Sequence, residues 1–316
     1  MRSRGVFAAA TGVRRAALTV VLAASVRGLR SYAAMSDATR NPGTPKAAQA
    51  APPAPRRSRA LVWIVVAVVA LAAAGVAAWA QLAHRGPQVY GFKVVAAYPH
   101  DPMAYTQGLV IDRGRLYEGT GRYGASSIRR VDLASGRVEK IHAIDREYFG
   151  EGITILGNKL YEITWKSGLA FVYDLDTFNV VQTFQYQSEG WGLTHDGEHL
   201  IMSDGTATLR FLDPATFKTL REITVHDGDE PVTKLNELEF IEGEIWSNVW
   251  YDDRIARISP ADGRVVGWID LAEIYPHSAR GSDDVLNGIA YDAAKRKIYV
   301  TGKDWPQLYE IDVVRR

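Results

Sequence analysis

Short runs of Val, Ile, Tyr, Phe and Trp, broken by Asp-Gly, Ser-Gly and Gly-Asn turns, extend from Gly91 to the C-terminus. This pattern predicts β-strands. No long segment with a 3.6-residue period interrupts them. The runs repeat. QGLV from Gln107, EGIT from Glu151, WGLT from Trp191, NELEF from Asn236 and NGIAYD from Asn287 each open a similar unit, roughly 40 to 50 residues apart. A second strand follows in each: RLYEGTG at Arg115, KLYEITW at Lys159, HLIMSDG at His199, EIWSNVW at Glu244 and KIYVTGK at Lys297. A third comes next, as in SIRRVDL, AFVYDLD, TLRFLDP, RIARISP and QLYEIDV, and four units add a fourth near Val138, Val180, Leu220 and Val265. Four-stranded repeats of this length are the signature of propeller blades, whose radial packing buries faces that one blade could not bury alone. The expectation is an all-β, five-bladed β-propeller over residues 87–316. The fifth unit lacks an outer strand, and GFKVVAAYP from Gly91 is assigned to that place, which removes an open edge.

Upstream the pattern is different. Leu61 to Ala80 reads LVWIVVAVVALAAAGVAAWA with no charge, and at about 1.5 Å per residue a helix of this length spans the roughly 30 Å core of a bilayer. A single transmembrane helix is expected over residues 60–83. Arg56, Arg57 and Arg59 precede it, so the positive-inside tendency makes the chain membrane-anchored, with the propeller extracytoplasmic (periplasmic). The alternative is secretion after signal cleavage, because Ala78-Trp79-Ala80 resembles a small-x-small site. Residues 1–59, rich in Ala, Pro and Arg with little to bury, read as a disordered basic tail, and Met35 is an equally natural start.

Charge sharpens this division. The whole chain balances 37 basic against 36 acidic residues, yet residues 1–60 hold eleven basic and one acidic residue, while residues 87–316 hold 25 basic and 35 acidic. A body with that acidic excess is not expected to bind nucleic acid, which needs clustered positive charge. The absence of cysteine excludes disulfides, thiolate nucleophiles and cysteine metal sites.

Residues at equivalent positions of the repeats converge on one end of a propeller's channel, so the register itself marks a candidate site. The opening positions are Gln107, Glu151, Trp191, Asn236 and Asn287, and near the end of the second strands stand Gly121, Trp165, Gly205, Trp250 and Lys303. One carboxylate, three amides, three tryptophans and a lysine are drawn towards one mouth. Tryptophans can also wedge between blades and amides can satisfy backbone groups. A whole set of buried polar groups, however, is costly without a ligand. Glu118 and Glu162 occupy a different register, suited to solvation or to hydrogen bonding between blades. His195 and His199 flank an Asp-Gly turn and read as turn residues; no HExxH, P-loop or nucleophile elbow is present, so no histidine-bound metal and no cofactor is expected. These residues alone leave open a metal-dependent propeller hydrolase of lactonase type and a non-catalytic peptide- or glycan-binding propeller.

The ordered motifs YTQGL, FGEGIT, ITWK, EGWGLT, SDGT, LNELE, SNVW, VLNGIAYD and TGKDWP resemble the plant and bacterial glutaminyl cyclases, over nearly all of residues 95–312. The resemblance implies a five-bladed propeller, and conversion of N-terminal glutamine of peptides or proteins to pyroglutamate with release of ammonia, without a metal. Carried over, the acid/base carboxylate is Glu151 with Phe149 beside it, and the substrate-lining residues are Tyr105, Gln107, Trp165, Trp191, Asn236, Trp250 and Lys303. Tyr105 departs from the family's phenylalanine and adds a hydroxyl. Burial among indoles would raise the Glu151 pKa and a nearby Lys303 would lower it; the sequence leaves that balance open. Gln107 and Asn236 are assigned to the substrate amide. Lys303 is assigned to the oxyanion or the substrate backbone, and a Trp indole N–H is a further candidate donor.

Overall fold

The computed structural model describes residues 59–83 and 86–316, with helix side chains described from 63 to 75. The chain divides into two units, Met1–Ile64 and Val65–Arg316; of the first only the start of a helix is described. That helix, Arg59–Ala83, is almost wholly apolar, and its side chains from Trp63 to Gly75 are exposed. Among the residues whose side chains are described no helix is long and apolar enough to cross a membrane. The span expected over 60–83 reaches past the described side chains at both ends. The tail expected over 1–59 lies, up to residue 58, outside the described residues.

Everything from Gln88 onward is β-structure, turn or loop apart from one short 3-10 turn at His277–Ala279. Three antiparallel sheets follow one another along the chain. The first set is Thr106–Asp112, Arg115–Thr120, Ser127–Val131 and Val138–Ala143. The second is Gly150–Leu156, Lys159–Thr164, Leu169–Asp174 and Val180–Gln185. The third is Leu193–His195, Leu200–Ser203, Thr208–Leu212 and Thr219–Thr224.

An eight-stranded sheet holds the rest. Its fourth set is Leu235–Ile241, Glu244–Val249, Arg254–Ile258 and Val265–Asp270. Its fifth is Leu286–Asp292, Lys297–Gly302 and Gln307–Arg315, with Gln88–Pro99 as the outermost strand. Gln88–Pro99 runs antiparallel to Gln307–Arg315, the place the sequence assigns to it, and also pairs in parallel with Val265–Asp270 through Gln88, Val89 and Tyr90. This parallel ladder joins the fourth and fifth sets into one sheet. A small hairpin, His226–Asp227 with Glu230–Pro231, was not legible in the repeat pattern.

The burial pattern explains the run lengths. First and second strands of each set are buried along nearly their whole length, as in GEGITIL and KLYEIT, whereas outer strands such as VEKIHA alternate. A strand covered on both faces needs a continuous apolar run, and one with a solvent face needs alternation. The core is divided into five clusters, each shared by neighbouring sets: first with second around Ile153, second with third around Leu193, third with fourth around Leu235, fourth with fifth around Trp305, and fifth with first around Leu109. The first strands pack in the same cyclic order, Leu286–Asp292 returning to Thr106–Asp112. Burying each such Leu or Ile contributes about 1.5–3 kcal/mol, so every set depends on both of its neighbours.

Candidate active site

The register residues reach their positions through irregularities in the first strands. Pairing with the second strand shifts between Thr106 and Gly108, Gly150 and Ile153, Leu235 and Leu238, and Leu286 and Ile289. Gln107, Glu151, Asn236 and Asn287 lie inside those four shifts. A bulge releases a residue from the ladder and re-aims its side chain, which is why polar groups stand at the ends of otherwise apolar strands. Trp191 immediately precedes the third set, its backbone N–H donating to the Ser203 carbonyl at 3.0 Å.

Tyr105, Gln107, Phe149, Glu151, Trp165, Trp191, Asn236, Trp250 and Lys303 line a single cavity of about 190 Å³. The remaining register residue, Asn287, is fully buried behind it; its Nδ2 donates to the Thr106 carbonyl (2.9 Å) and to Gln107 Oε1 (3.3 Å). Gln107 in turn donates through Nε2 to Glu151 Oε1 at 3.0 Å. The chain Asn287 to Gln107 to Glu151 fixes which end of the Gln107 amide faces the carboxyl group. Two glycines make the walls possible. A Cβ at Gly121 would stand 2.3 Å from Phe149 Cε1, and one at Gly205, where φ is +78°, would stand 2.6 Å from the Trp191 ring.

Glu151 is 5% exposed, and the Gln107 bond is the one hydrogen bond its carboxyl group makes among the described residues. Burial holds its pKa well above the usual carboxyl value, against the pull of Lys303, and the neighbouring carboxyl groups of Glu189 and Glu162 add to the rise. The contest left open by the sequence is therefore decided by desolvation. Lys303 is buried too, and burial brings its ammonium down to about 8 in spite of Glu151, Asp283 and Asp304. Its Nζ lies 4.6 Å from the centroid of the Tyr105 ring, where the Arg122 guanidinium also sits at 4.5 Å. Burial, with Asp283 and Glu151, pushes the Tyr105 hydroxyl up to about 12. It remains a neutral phenol beside the carboxyl group. Asn236 Oδ1 is a buried acceptor with no hydrogen-bond partner among the described residues.

The aromatic walls form two groups. Phe149 meets Tyr105, Tyr123 and Trp165 edge-on, and Trp191 meets Trp250 at 87° with centroids 5.4 Å apart. Two of the three candidate indole donors are engaged outside the cavity. Trp165 Nε1 and Trp191 Nε1 both donate to Glu189 Oε2, at 2.9 and 3.0 Å, and are already occupied. Glu189 itself went unnoticed in the sequence, although it stands two residues before Trp191 in EGWGLT.

Other carboxyl groups are structural. Glu118 is buried, accepts from Thr106 Oγ1 of its own set at 2.8 Å and pairs at 2.9 Å with Nε2 of His100, which follows the outermost strand of the fifth set. Glu162 is fully buried, accepts from the Tyr173 hydroxyl at 2.8 Å, and is pushed up to about 8 by burial. Glu237 spans the inner strands, accepting from the backbone N–H groups of Leu109 and Ile289. Gly197 N–H donates to His195 Nδ1, and His199 Nδ1 contacts Asp196, which are turn roles. Among the described residues no group of three or more His, Cys, Asp or Glu is arranged to hold a metal ion.

A fold whose first strands pack in a closed cycle, with a carboxyl group buried among indoles at their ends, defines a class. Residues 66–313 match the glutamine cyclotransferase family, and the chain belongs to that family. It is 46% identical over 235 residues to the glutaminyl-peptide cyclotransferase of Arabidopsis thaliana, covering 73% of this chain and 72% of that protein. The crystal structure of Myxococcus xanthus glutaminyl cyclase is similar in structure, with a TM-score of 0.69 and 33% identity, over 73% of this chain and 99% of the other.

Proposed function

We propose that this chain is a glutaminyl-peptide cyclotransferase acting on peptides or proteins with N-terminal glutamine, and that its five strand sets are the blades of a five-bladed propeller with the cavity at one mouth. The observation that carries the reading is a carboxyl group, Glu151, buried in an indole-lined cavity and oriented by a hydrogen bond from Gln107, with burial raising its pKa.

The reaction asks little covalent chemistry of the protein. The substrate's α-amine attacks its own γ-carboxamide carbon, forming the ring C–N bond and a tetrahedral intermediate; the bond to the γ-nitrogen then breaks and ammonia leaves. Nucleophile and electrophile are tethered, so holding the folded conformer supplies much of the rate. Glu151 as carboxylate takes a proton from the attacking nitrogen and, as carboxylic acid, returns it to the departing one. A pKa raised by burial suits both halves of that cycle. Asn236 Oδ1 is an unpartnered acceptor for the substrate's N–H groups, and Lys303 is a cation for the oxyanion, a role typically worth about 3–4 kcal/mol. The rings of Trp165, Trp191 and Trp250 grip the aliphatic part of the glutamine and exclude competing water.

Incubation of the full chain with a Gln-initiated peptide tests this reading: the peptide should lose the mass of one ammonia, and a peptide that stays intact contradicts it. Release that persists after exhaustive chelation separates the reading from a metal-dependent hydrolase. The helix Arg59–Ala83 is, on the same reading, a membrane anchor with the propeller extracytoplasmic. Its exposed apolar side chains from Trp63 to Leu71 support this. Resistance of the full chain to alkaline carbonate extraction is the expected result, and recovery in the soluble fraction removes the anchor.

A further inference from the structure

We propose that Glu189 is a positioning residue of the same cavity: from behind the aromatic wall, its carboxylate clamps Trp165 and Trp191 at their gripping angle and places a fixed negative charge near Glu151. This rests on the cyclotransferase reading of the site and goes beyond it by assigning a residue that does not line the cavity.

One oxygen, Oε2, accepts both indole N–H groups at 2.9 and 3.0 Å. The two tryptophans come from different strand sets, one following Lys159–Thr164 and the other preceding Leu193–His195, so the carboxylate ties neighbouring sets together at the cavity wall. Its own backbone is pinned. Gly190 N–H donates to the Trp165 carbonyl at 2.9 Å, and a Cβ at Gly190 would stand 2.9 Å from the Thr164 carbonyl oxygen, so the loop lies flat against the chain at Thr164 and Trp165. Lys166 completes the arrangement, with Nζ 3.9 Å from Glu189 Oε1 and 3.8 Å from the centroid of the Trp165 ring. A charged acceptor shared by two neutral donors is a strong restraint, and it adds to the edge-on contacts of Trp165 with Phe149 and of Trp191 with Trp250.

The charge has a second effect. The ionisable groups facing Glu151 are Lys303, which lowers its pKa, and Glu189 and Glu162, which raise it; the Tyr105 and Tyr186 phenols lie in the same region, and Lys166 faces Glu189. Geometry and charge are separable by substitution. Glu189→Gln keeps an oxygen that can accept both indole N–H groups but removes the negative charge, whereas Glu189→Ala removes both.

The experiment measures kcat and KM of the full chain and of Glu189→Gln, Glu189→Ala and Glu189→Asp on a Gln-initiated peptide, from mildly acidic to mildly alkaline pH. In Glu189→Gln the KM should stay within about twofold of wild type while the acidic limb of kcat/KM moves to lower pH. In Glu189→Ala the KM should rise about tenfold, with a shift in tryptophan emission, because each lost charge-assisted bond matters at this scale. Glu189→Asp, which keeps the charge on a shorter arm, should recover the pH profile but only part of the KM. Superimposable pH profiles for wild type and Glu189→Gln, or an unchanged KM in a folded Glu189→Ala, overturn the proposal. Should Glu189→Ala fail to fold, the Glu189→Gln profile decides alone. A wild-type chain that releases no ammonia would remove the underlying function, whereas an active wild type with unmoved variants removes only the role of Glu189.

Discussion

Gly121 lies tightly behind the cavity wall, and Gly121→Ala tests whether that space serves the site or the fold. The added Cβ would lie 2.3 Å from Phe149 Cε1, 2.8 Å from Phe149 Cζ and 2.9 Å from Gln107 Cγ. All three atoms belong to side chains, and the Gly121 backbone is not in the left-handed region, so alanine itself is unstrained there. To reach ordinary contact the Phe149 ring must retreat by about 1 Å. Tyr105, Tyr123 and Trp165 hem the ring in. The open direction is the cavity, and Gln107 is pushed at the same time, which loosens its 3.0 Å bond to Glu151. Overpacking of this kind costs about 1–3 kcal/mol of stability, less where a ring can move into free space. A 1 Å misplacement of reacting groups costs about 10²-fold in rate. The expected result is a loss of about 10²-fold in kcat/KM for ammonia release, with a melting temperature lowered by no more than about 2–10 °C. A folded variant whose kcat/KM stays within about twofold of wild type would refute the reasoning, since the space would then have no part in positioning Phe149 and Gln107.

Two other substitutions probe the electrostatics. In Lys303→Gln the loss of a cation that lowers the Glu151 pKa should move the acidic limb of kcat/KM to higher pH, and the alkaline limb near 8 that Lys303 deprotonation produces should disappear. The accompanying fall in kcat should be about 10²–10³-fold, the effect of one oxyanion donor; an unmoved pH profile contradicts the coupling. Glu118→Gln breaks a buried pair, with His100 Nε2 2.9 Å from Glu118 Oε1 and both side chains under 5% exposed. Leaving one buried charge without its partner costs about 3–5 kcal/mol, read from urea unfolding near pH 6. Burial alone would lower the His100 pKa and raise that of Glu118, but the pair reverses both, leaving His100 above 6.5 and Glu118 below 4.5. The Glu118 contribution is therefore present above 4.5 and lost as pH falls through its folded value; that of His100 is present below 6.5 and lost as pH rises through its folded value. Equal unfolding midpoints for variant and wild type between those limits would contradict it.

Much of this architecture was legible because the repeats dictate burial. Strands covered on both faces carry continuous apolar runs, so polar residues at their openings stand out, and Gln107, Glu151 and Asn236 were found in that way. Trp165, Trp250 and Lys303 followed from the same register one strand later. Asn287 shares the register but not the cavity, because the pattern specifies a level in the channel and not which group stands in front of another. The parallel ladder between Gln88–Pro99 and Val265–Asp270 was hidden, since three backbone pairs leave no side-chain signature. Glu189 was hidden for a related reason: it sits in a loop outside the strand register, and its importance lies in two indole donors brought to it by different strand sets. The balance at Glu151 between burial and Lys303 depends on how far the ammonium is kept from the carboxyl group, which spacing along the chain does not encode.

The most direct measurement of the central claim is single-turnover ammonia release by Glu151→Gln beside the wild type, on one Gln-initiated peptide, with peptide binding and thermal unfolding followed in parallel. A proton shuttle typically contributes 10²–10⁴-fold. The rate should therefore fall by about 10³-fold, while the peptide still binds and the variant unfolds at or above the wild-type temperature, because a buried acid has been replaced by a neutral amide of the same shape. A variant that releases ammonia at near the wild-type rate would show that the proton moves by another route and that Glu151 is not its carrier.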